Sequence, residues 1–353
     1  VGAGGAEDAL RFAGRTCADP AGSASRWKAL TGGKAVGCLP PLVPEEIIHA
    51  AGILPVTVRG DEYGGSSGPW SVLDGWVFSP VHGLPQDPAN FLDDTASGKP
   101  QFRILFTPRR MKVPSMEETL DQVEMLREWA CDFSGRTVTD GALSKSIYSY
   151  NENRMLLSEL EERLASCPGA FSAREVFRLI RSAAALPREA HSLLLRSALS
   201  RTPAPVNRGA ARIFLGGATV PFSVMEAIDG ACATLVGDDL EEGHRYNEQK
   251  ADESGDPALA FSRRLRARLL GLEEAERRRA ARLLDRVRAT GADRLLYMKT
   301  GVSESAEYAE TLAAESGRLG LPFLCLEADP AGGISNAMKE GIASFIRNGG
   351  QGG

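Results

Sequence analysis

Two carboxylates and an imidazole stand together in Pro44-Glu-Glu-Ile-Ile-His-Ala-Ala-Gly52. Glu45 and Glu46 open the stretch, and His49 follows Glu45 by four residues, a spacing that places the two on one helical face. Carboxylate and imidazole at a strand-to-helix turn are the residue types of general acid–base chemistry. Acidic residues also suit the positive end of any helix, so a structural reading stands beside the catalytic one. A second constellation is Gly216-Gly217 followed, after the next strand, by Asp238-Asp239. In a dinucleotide-binding unit an acidic residue about 20 positions beyond the glycines holds the ribose. The spacing agrees here, but the glycines read GGATVP rather than GxGxxG. That favours an ordinary strand–turn–helix–strand unit over a nicotinamide site, with Asp238 and Asp239 kept as candidate cofactor contacts.

Cysteines stand at 17, 38, 131, 167, 232 and 325, with no CxxC pair and no zinc spacing. Scattered thiols of this kind predict a reducing, cytoplasmic setting. The 353 residues suffice for about two domains, and a 43% hydrophobic, 25% charged composition is that of a globular protein. A net charge of -5 argues against nucleic acid or an anionic membrane as the main partner. No apolar run reaches the roughly 18 residues of a membrane span. The opening VGAGGAEDALRF has neither a basic start nor an apolar stretch, so no secretory signal is expected within it.

The elements that must position these residues fall into three regions. Over 1–114, short apolar runs alternate with turn residues: Lys34–Cys38, Leu54–Val58, Gly75–Phe78 and Phe102–Phe106 read as strands, and the Pro44 segment as a helix. Over 115–208 the pattern is helical. Ser115-Met-Glu-Glu118 is a capping box, and Leu143, Ile147, Tyr150, Met155 and Leu157 share one face of a later helix. Over 209–353 alternation returns, with strands at Ala211–Leu215, Ala233–Val236, Arg294–Met298 and Pro322–Leu326. Strands without tight hairpin turns favour parallel sheets. The expectation is α/β: two flavodoxin-like or Rossmann-like lobes joined by a helical segment, with a ligand cleft between them. The arginine-rich stretch Arg263–Arg288 reads as a solvated amphipathic helix whose buried face carries Leu265, Leu269, Leu272, Leu283, Leu284 and Val287.

In VPEEIIHAAGILPV, DGWVFSPVHG and SGRTVTDGALSKSIYSYNENRMLL the chain resembles the 2-hydroxyacyl-CoA dehydratase and ATP-dependent benzoyl-CoA reductase subunits. The likeness continues through RIFLGGATVPFSVMEAIDGACATLVGDDL, GADRLLYMKTG and LPFLCLEADPAGG to the terminal EGIASFIRN. The blocks run in family order from Lys34 onward. The resemblance implies two similar lobes, a homologous partner subunit in a heterodimer, an acyl-CoA substrate, and a [4Fe-4S] cluster. It also implies an ATP-dependent activator that feeds the cluster one electron. In such enzymes that electron reaches the thioester carbonyl; an acid or base beside it assists, for which Glu45, Glu46 and His82 are the first candidates.

The departures matter as much. Where relatives place cluster thiolates, this chain carries Pro40, His82 and Gly301. Neither Pro nor Gly offers a side-chain ligand. Three readings follow: a cluster-free subunit supporting a cluster-bearing partner, a cluster held unusually by Cys38, His82 and Cys232, or a non-catalytic assembly module on the same scaffold.

Overall fold

The computed structural model describes residues 3–39, 42–59, 68–78, 101–104, 113–202, 209–272, 274–300, 306–328 and 333–349. Two helices come first, α1 (Ala3–Ala18) and α2 (Pro20–Thr31). Asp19 starts α2 by accepting from the Gly22 amide, and Gly32 ends it in the left-handed conformation.

The first sheet is built from β1 (Ala35–Leu39), β2 (Leu54–Thr57), β3 (Gly75–Phe78) and β4 (Gln101–Ile104), in the order β2-β1-β3-β4. All pairs are parallel, with Ala35 opposite Leu54, Val36 opposite Gly75 and Gly75 opposite Gln101. Every residue of β1 is buried, as expected of a strand covered on both faces. Gly37 is required there: a Cβ would fall 2.4 Å from the Trp76 ring. Between β1 and β2 runs α3 (Glu45–Ala50), the helix read from the Pro44 segment.

The second sheet repeats the plan with β5 (Arg212–Gly217), β6 (Thr234–Asp239), β7 (Arg294–Thr300) and β8 (Phe323–Ala328), parallel in the order β6-β5-β7-β8. In each sheet the first strand lies inside and its successors flank it on opposite sides, which opens a crevice at the carboxyl ends. The two-lobed α/β expectation therefore holds, with the strands of the second sheet running two or three residues beyond their expected ends.

Between the sheets in sequence come α4 (Met116–Ser134), α5 (Asp140–Ser166), α6 (Ala173–Ser182) and α7 (Arg188–Leu199). The Ser115–Glu118 capping box forms as expected. On α5 the apolar stripe buries Leu143, Ile147, Tyr150 and Leu157, whereas Met155 is 54% exposed. Adjoining Arg154 turns inward instead, where the buried Glu46 carboxylate meets it. The short helix α9 (His244–Asn247) follows β6, after α8 (Phe222–Gly230).

The arginine-rich stretch departs from expectation. It forms two helices, α10 (Pro257–Leu272) and α11 (Glu276–Ala289). Leu265 and Leu269 join the core around Val36, Ile47 and Leu126, and Leu283, Leu284 and Val287 pack under the second sheet. Yet Arg264 is only 7% exposed and Arg268 is largely withdrawn from solvent, so this face is not simply solvated. Each precedes a buried leucine in the stripe, which swings it toward the protein rather than away. After α12 (Ala306–Arg318), the chain finishes with α13 (Asn336–Asn348). Among the described residues no helix is long and apolar enough to cross a membrane.

Candidate functional site at the lobe junction

Glu45 and Glu46 open α3, which follows β1 and precedes β2, and Glu45 reaches Thr57 at the carboxyl end of β2. Both carboxylates are buried, at 7% and 1% exposure, and each is met by cations from other elements. The Thr57 hydroxyl at the end of β2 donates to Glu45 Oε1 at 2.8 Å. Arg188, the first residue of α7, donates to Glu45 Oε2, and the Tyr246 hydroxyl from α9 reaches the same oxygen at 3.3 Å. Glu46 Oε1 accepts from Arg154 of α5 and, at 3.4 Å, from Arg264 of α10. Burial alone would raise the Glu46 carboxyl, but Arg154 and Arg264 outweigh it and bring it down to about 2.

Tyrosine rings separate the guanidinium groups. Arg188 lies 4.8 Å from the Tyr150 ring centre and 5.3 Å from that of Tyr246, and Arg154 lies 5.6 and 5.3 Å from the same two. These distances are within cation–π range, which compensates part of the desolvation of two buried cations. Burial raises both phenols above their ordinary range, so they stay protonated, and Tyr246 is the one that donates, to Glu45.

Beside this network is a cavity of about 60 Å³, walled by Cys38, Glu45 and Thr57 from the first lobe, Arg188 from the helical layer, and Tyr246 and Arg268 from the second half of the chain. It sits at the carboxyl ends of the first sheet, where open α/β sheets bind ligands. A buried, hydrogen-bonded carboxylate, a phenol and a guanidinium on one wall can orient a polar group of a ligand.

The residues singled out in the sequence are thus distributed unequally. Glu45 lines the cavity; Glu46 is not among its walls and ties α3 to α5 and α10 instead. His49 points elsewhere, its Nδ1 2.8 Å from Ser146 Oγ and its Nε2 3.3 Å from Glu189. Because the Ser146 hydroxyl donates to the Glu46 carbonyl, it accepts from His49 Nδ1–H. His82 lies outside the described residues, as do Pro40 and Gly301. Asp238 accepts the Leu240 and His244 amides at 3.0 and 3.1 Å, and Asp239 pairs with Arg245 at 2.8 Å and Arg286 at 3.3 Å. Both carboxylates are committed to a turn and an ion-pair cluster. Gly217 serves the turn as well: its φ is +132°, and a Cβ would meet the Met298 carbonyl at 2.4 Å.

The described side chains do not gather the thiolates that an iron–sulfur cluster needs. Among the described residues no three of His, Cys, Asp and Glu converge as metal ligands. Cys38 is buried in β1, and burial, reinforced by Glu45, pushes its thiol up rather than toward the thiolate a cluster needs. Cys232 is exposed on the turn before β6.

Sequence reasoning passed over Arg154, Arg188, Tyr246, Arg264 and Arg268. A signal existed for two of them: Arg264 and Arg268 are one helical turn apart, each directly before a leucine of the apolar stripe. Arg188 and Tyr246 carried none, because their partner Glu45 is remote in sequence and is brought near only by tertiary packing.

The chain has relatives along nearly its whole length. A family model described as 2-hydroxyglutaryl-CoA dehydratase, D-component, matches residues 90–348. A subunit of the benzoyl-CoA reductase of Thauera aromatica is 24% identical over 360 residues, covering 92% of this chain and 93% of that one. The (R)-phenyllactyl-CoA dehydratase beta subunit of Clostridium sporogenes is 22% identical, covering 85% and 87%. The beta subunit of the lactoyl-CoA dehydratase of Anaerotignum propionicum is 22% identical, covering 93% and 95%.

Proposed function

The chain belongs to the 2-hydroxyglutaryl-CoA dehydratase D-component family, and on that premise we propose that it is a subunit of a dehydratase- or reductase-type complex acting on an acyl-CoA thioester. The observation that carries this reading is the near full-length likeness to three proteins that are each named as a subunit of an acyl-CoA enzyme. The [4Fe-4S] cluster belongs to a homologous partner subunit, which an ATP-dependent activator supplies with electrons. Pro40 and Gly301 in place of thiolates, and a buried Cys38, support that division of labour.

What this chain contributes is its cavity wall. Glu45 holds Arg188 and Tyr246 in place, so a guanidinium and a phenol line the space beside it. Glu46 holds two further guanidiniums and fixes α3 against α5 and α10. His82 is retained as a candidate for mutation beside them.

The test uses anaerobically purified protein, alone and with a co-expressed homologous partner and activator. The isolated chain is expected to be colourless with iron well below one cluster per chain, and the complex to carry iron and turn over an acyl-CoA. Stoichiometric iron and sulfide in the isolated chain would overturn the assignment of the cluster to the partner. Turnover in the complex that survives Glu45→Gln unchanged would leave this chain the role of a scaffold.

A further inference from the structure

Next to the junction cavity lies a second, of about 70 Å³, between the end of β6 and helices α10 and α11. Arg245, Arg268, Arg279, Arg282 and Arg286 line it. Four of these guanidiniums are engaged. Arg245 and Arg286 hold Asp239 at 2.8 and 3.3 Å, Arg282 holds Glu274 at 3.0 Å, and Arg279 lies 4.4 Å from the Tyr308 ring centre.

Arg268 differs. It lines both cavities, so it stands at the seam between them. It is largely withdrawn from solvent and makes no hydrogen bond or ion pair among the described residues. Glu241 also borders both spaces, but burial raises its carboxyl toward the neutral form and weakens it as a counter-ion. Desolvation, with Arg154 close by, also disfavours the charge on Arg268. A guanidinium that lines two cavities without a hydrogen bond or ion pair of its own keeps its fork open to an anion that enters either space. The surrounding arginines favour an anion with several charged oxygens, and phosphate oxygens match the guanidinium fork.

We propose that Arg268, with Arg245 and Arg279 on the rim, binds the phosphate groups of an anionic ligand whose remaining part extends along the seam into the junction cavity. The identity of that ligand rests on the acyl-CoA reading above: the phosphates are the diphosphate of coenzyme A. The phosphate site itself does not depend on that reading.

Calorimetric titration of the full chain separates the two statements, with inorganic pyrophosphate, coenzyme A and phosphate-free pantetheine as probes. Arg263→Gln, on the exposed face of the same helix, is the control for loss of one charge. Pyrophosphate and coenzyme A are expected to bind the wild type and the control and to compete with each other. Arg268→Gln should weaken both at least tenfold, and pantetheine should not displace pyrophosphate. Absence of pyrophosphate binding, or binding unchanged by Arg268→Gln, would overturn the site. Coenzyme A that fails to displace pyrophosphate would overturn the ligand assignment and leave the site. If Arg268→Gln does not fold, Arg268→Lys keeps the charge but loses the fork, and the same tenfold criterion applies. None of these outcomes depends on iron or turnover, so a failure here is distinguishable from a failure of the subunit reading.

Discussion

Replacing Glu46 with Gln keeps the shape of the side chain and removes the one charge that Arg154 and Arg264 share. Glu46 is 1% exposed, so water cannot screen the loss. Lowering a carboxyl from 4.5 to about 2 corresponds to about 3 kcal/mol of stability at neutral pH. Breaking a buried pair from one side costs about 3–5 kcal/mol in other proteins, which agrees. The folded-state value is depressed, so this stability is fully present above the unfolded value of 4.5 and is lost as the pH falls through about 2. Urea unfolding of the wild type and Glu46→Gln at pH 7, 5 and 3 is the assay. The gap should be about 3 kcal/mol at pH 7, similar at pH 5, and smaller by pH 3. A variant within about 0.5 kcal/mol of the wild type at pH 7, or a gap that does not narrow in acid, would refute the electrostatic account of the junction.

Other outcomes follow from neighbouring residues. His191 is fully buried, its Nε2–H donating to the Leu179 carbonyl at 2.9 Å, and burial with help from Arg188 pushes its pKa down to about 3. The unfolded chain therefore binds a proton that the folded chain refuses, so stability should fall by about 1.4 kcal/mol per pH unit below 6.5, and His191→Gln should flatten that slope in urea titrations. The hydrogen bond from His49, aided by Ser149, brings Glu189 down to about 2, but its side chain is 49% exposed. Glu189→Gln should consequently cost no more than about 1 kcal/mol above pH 4.5, with less at lower pH, as read by thermal melts. In the native protein iodoacetamide should label exposed Cys232 and spare buried Cys38; mass spectrometry showing the reverse would contradict the placement of β1.

The lobes were legible because parallel strands leave a strong local imprint. Lys34–Cys38 and Arg294–Met298 are short apolar runs between turn residues, and both became buried central strands. The Ser115 cap was equally local: its two hydrogen bonds join residues three apart. The junction was not local. Glu45 and Glu46 were found by type and spacing, but their roles are decided by Arg188, Arg154 and Arg264, which lie 143, 108 and 218 positions away. Periodicity alone assigned Arg264 to a wet surface, since it cannot register the Glu46 carboxylate supplied by another element. Met155 failed for the opposite reason. An apolar residue near a stripe is not in it unless the helix phase agrees, and Arg154 held the inward position.

Glu45, Arg188 and Tyr246 belong at once to the wall of the junction cavity and to the bolt that fastens three parts of the molecule. Retuning ligand preference at this wall is therefore never a local edit. A swapped charge at position 45 strands a cation on α7, and relief must come from a second change on an element far along the chain. Lineages that diverge in what they accept should show these three positions drifting in concert, with the surrounding strands left untouched.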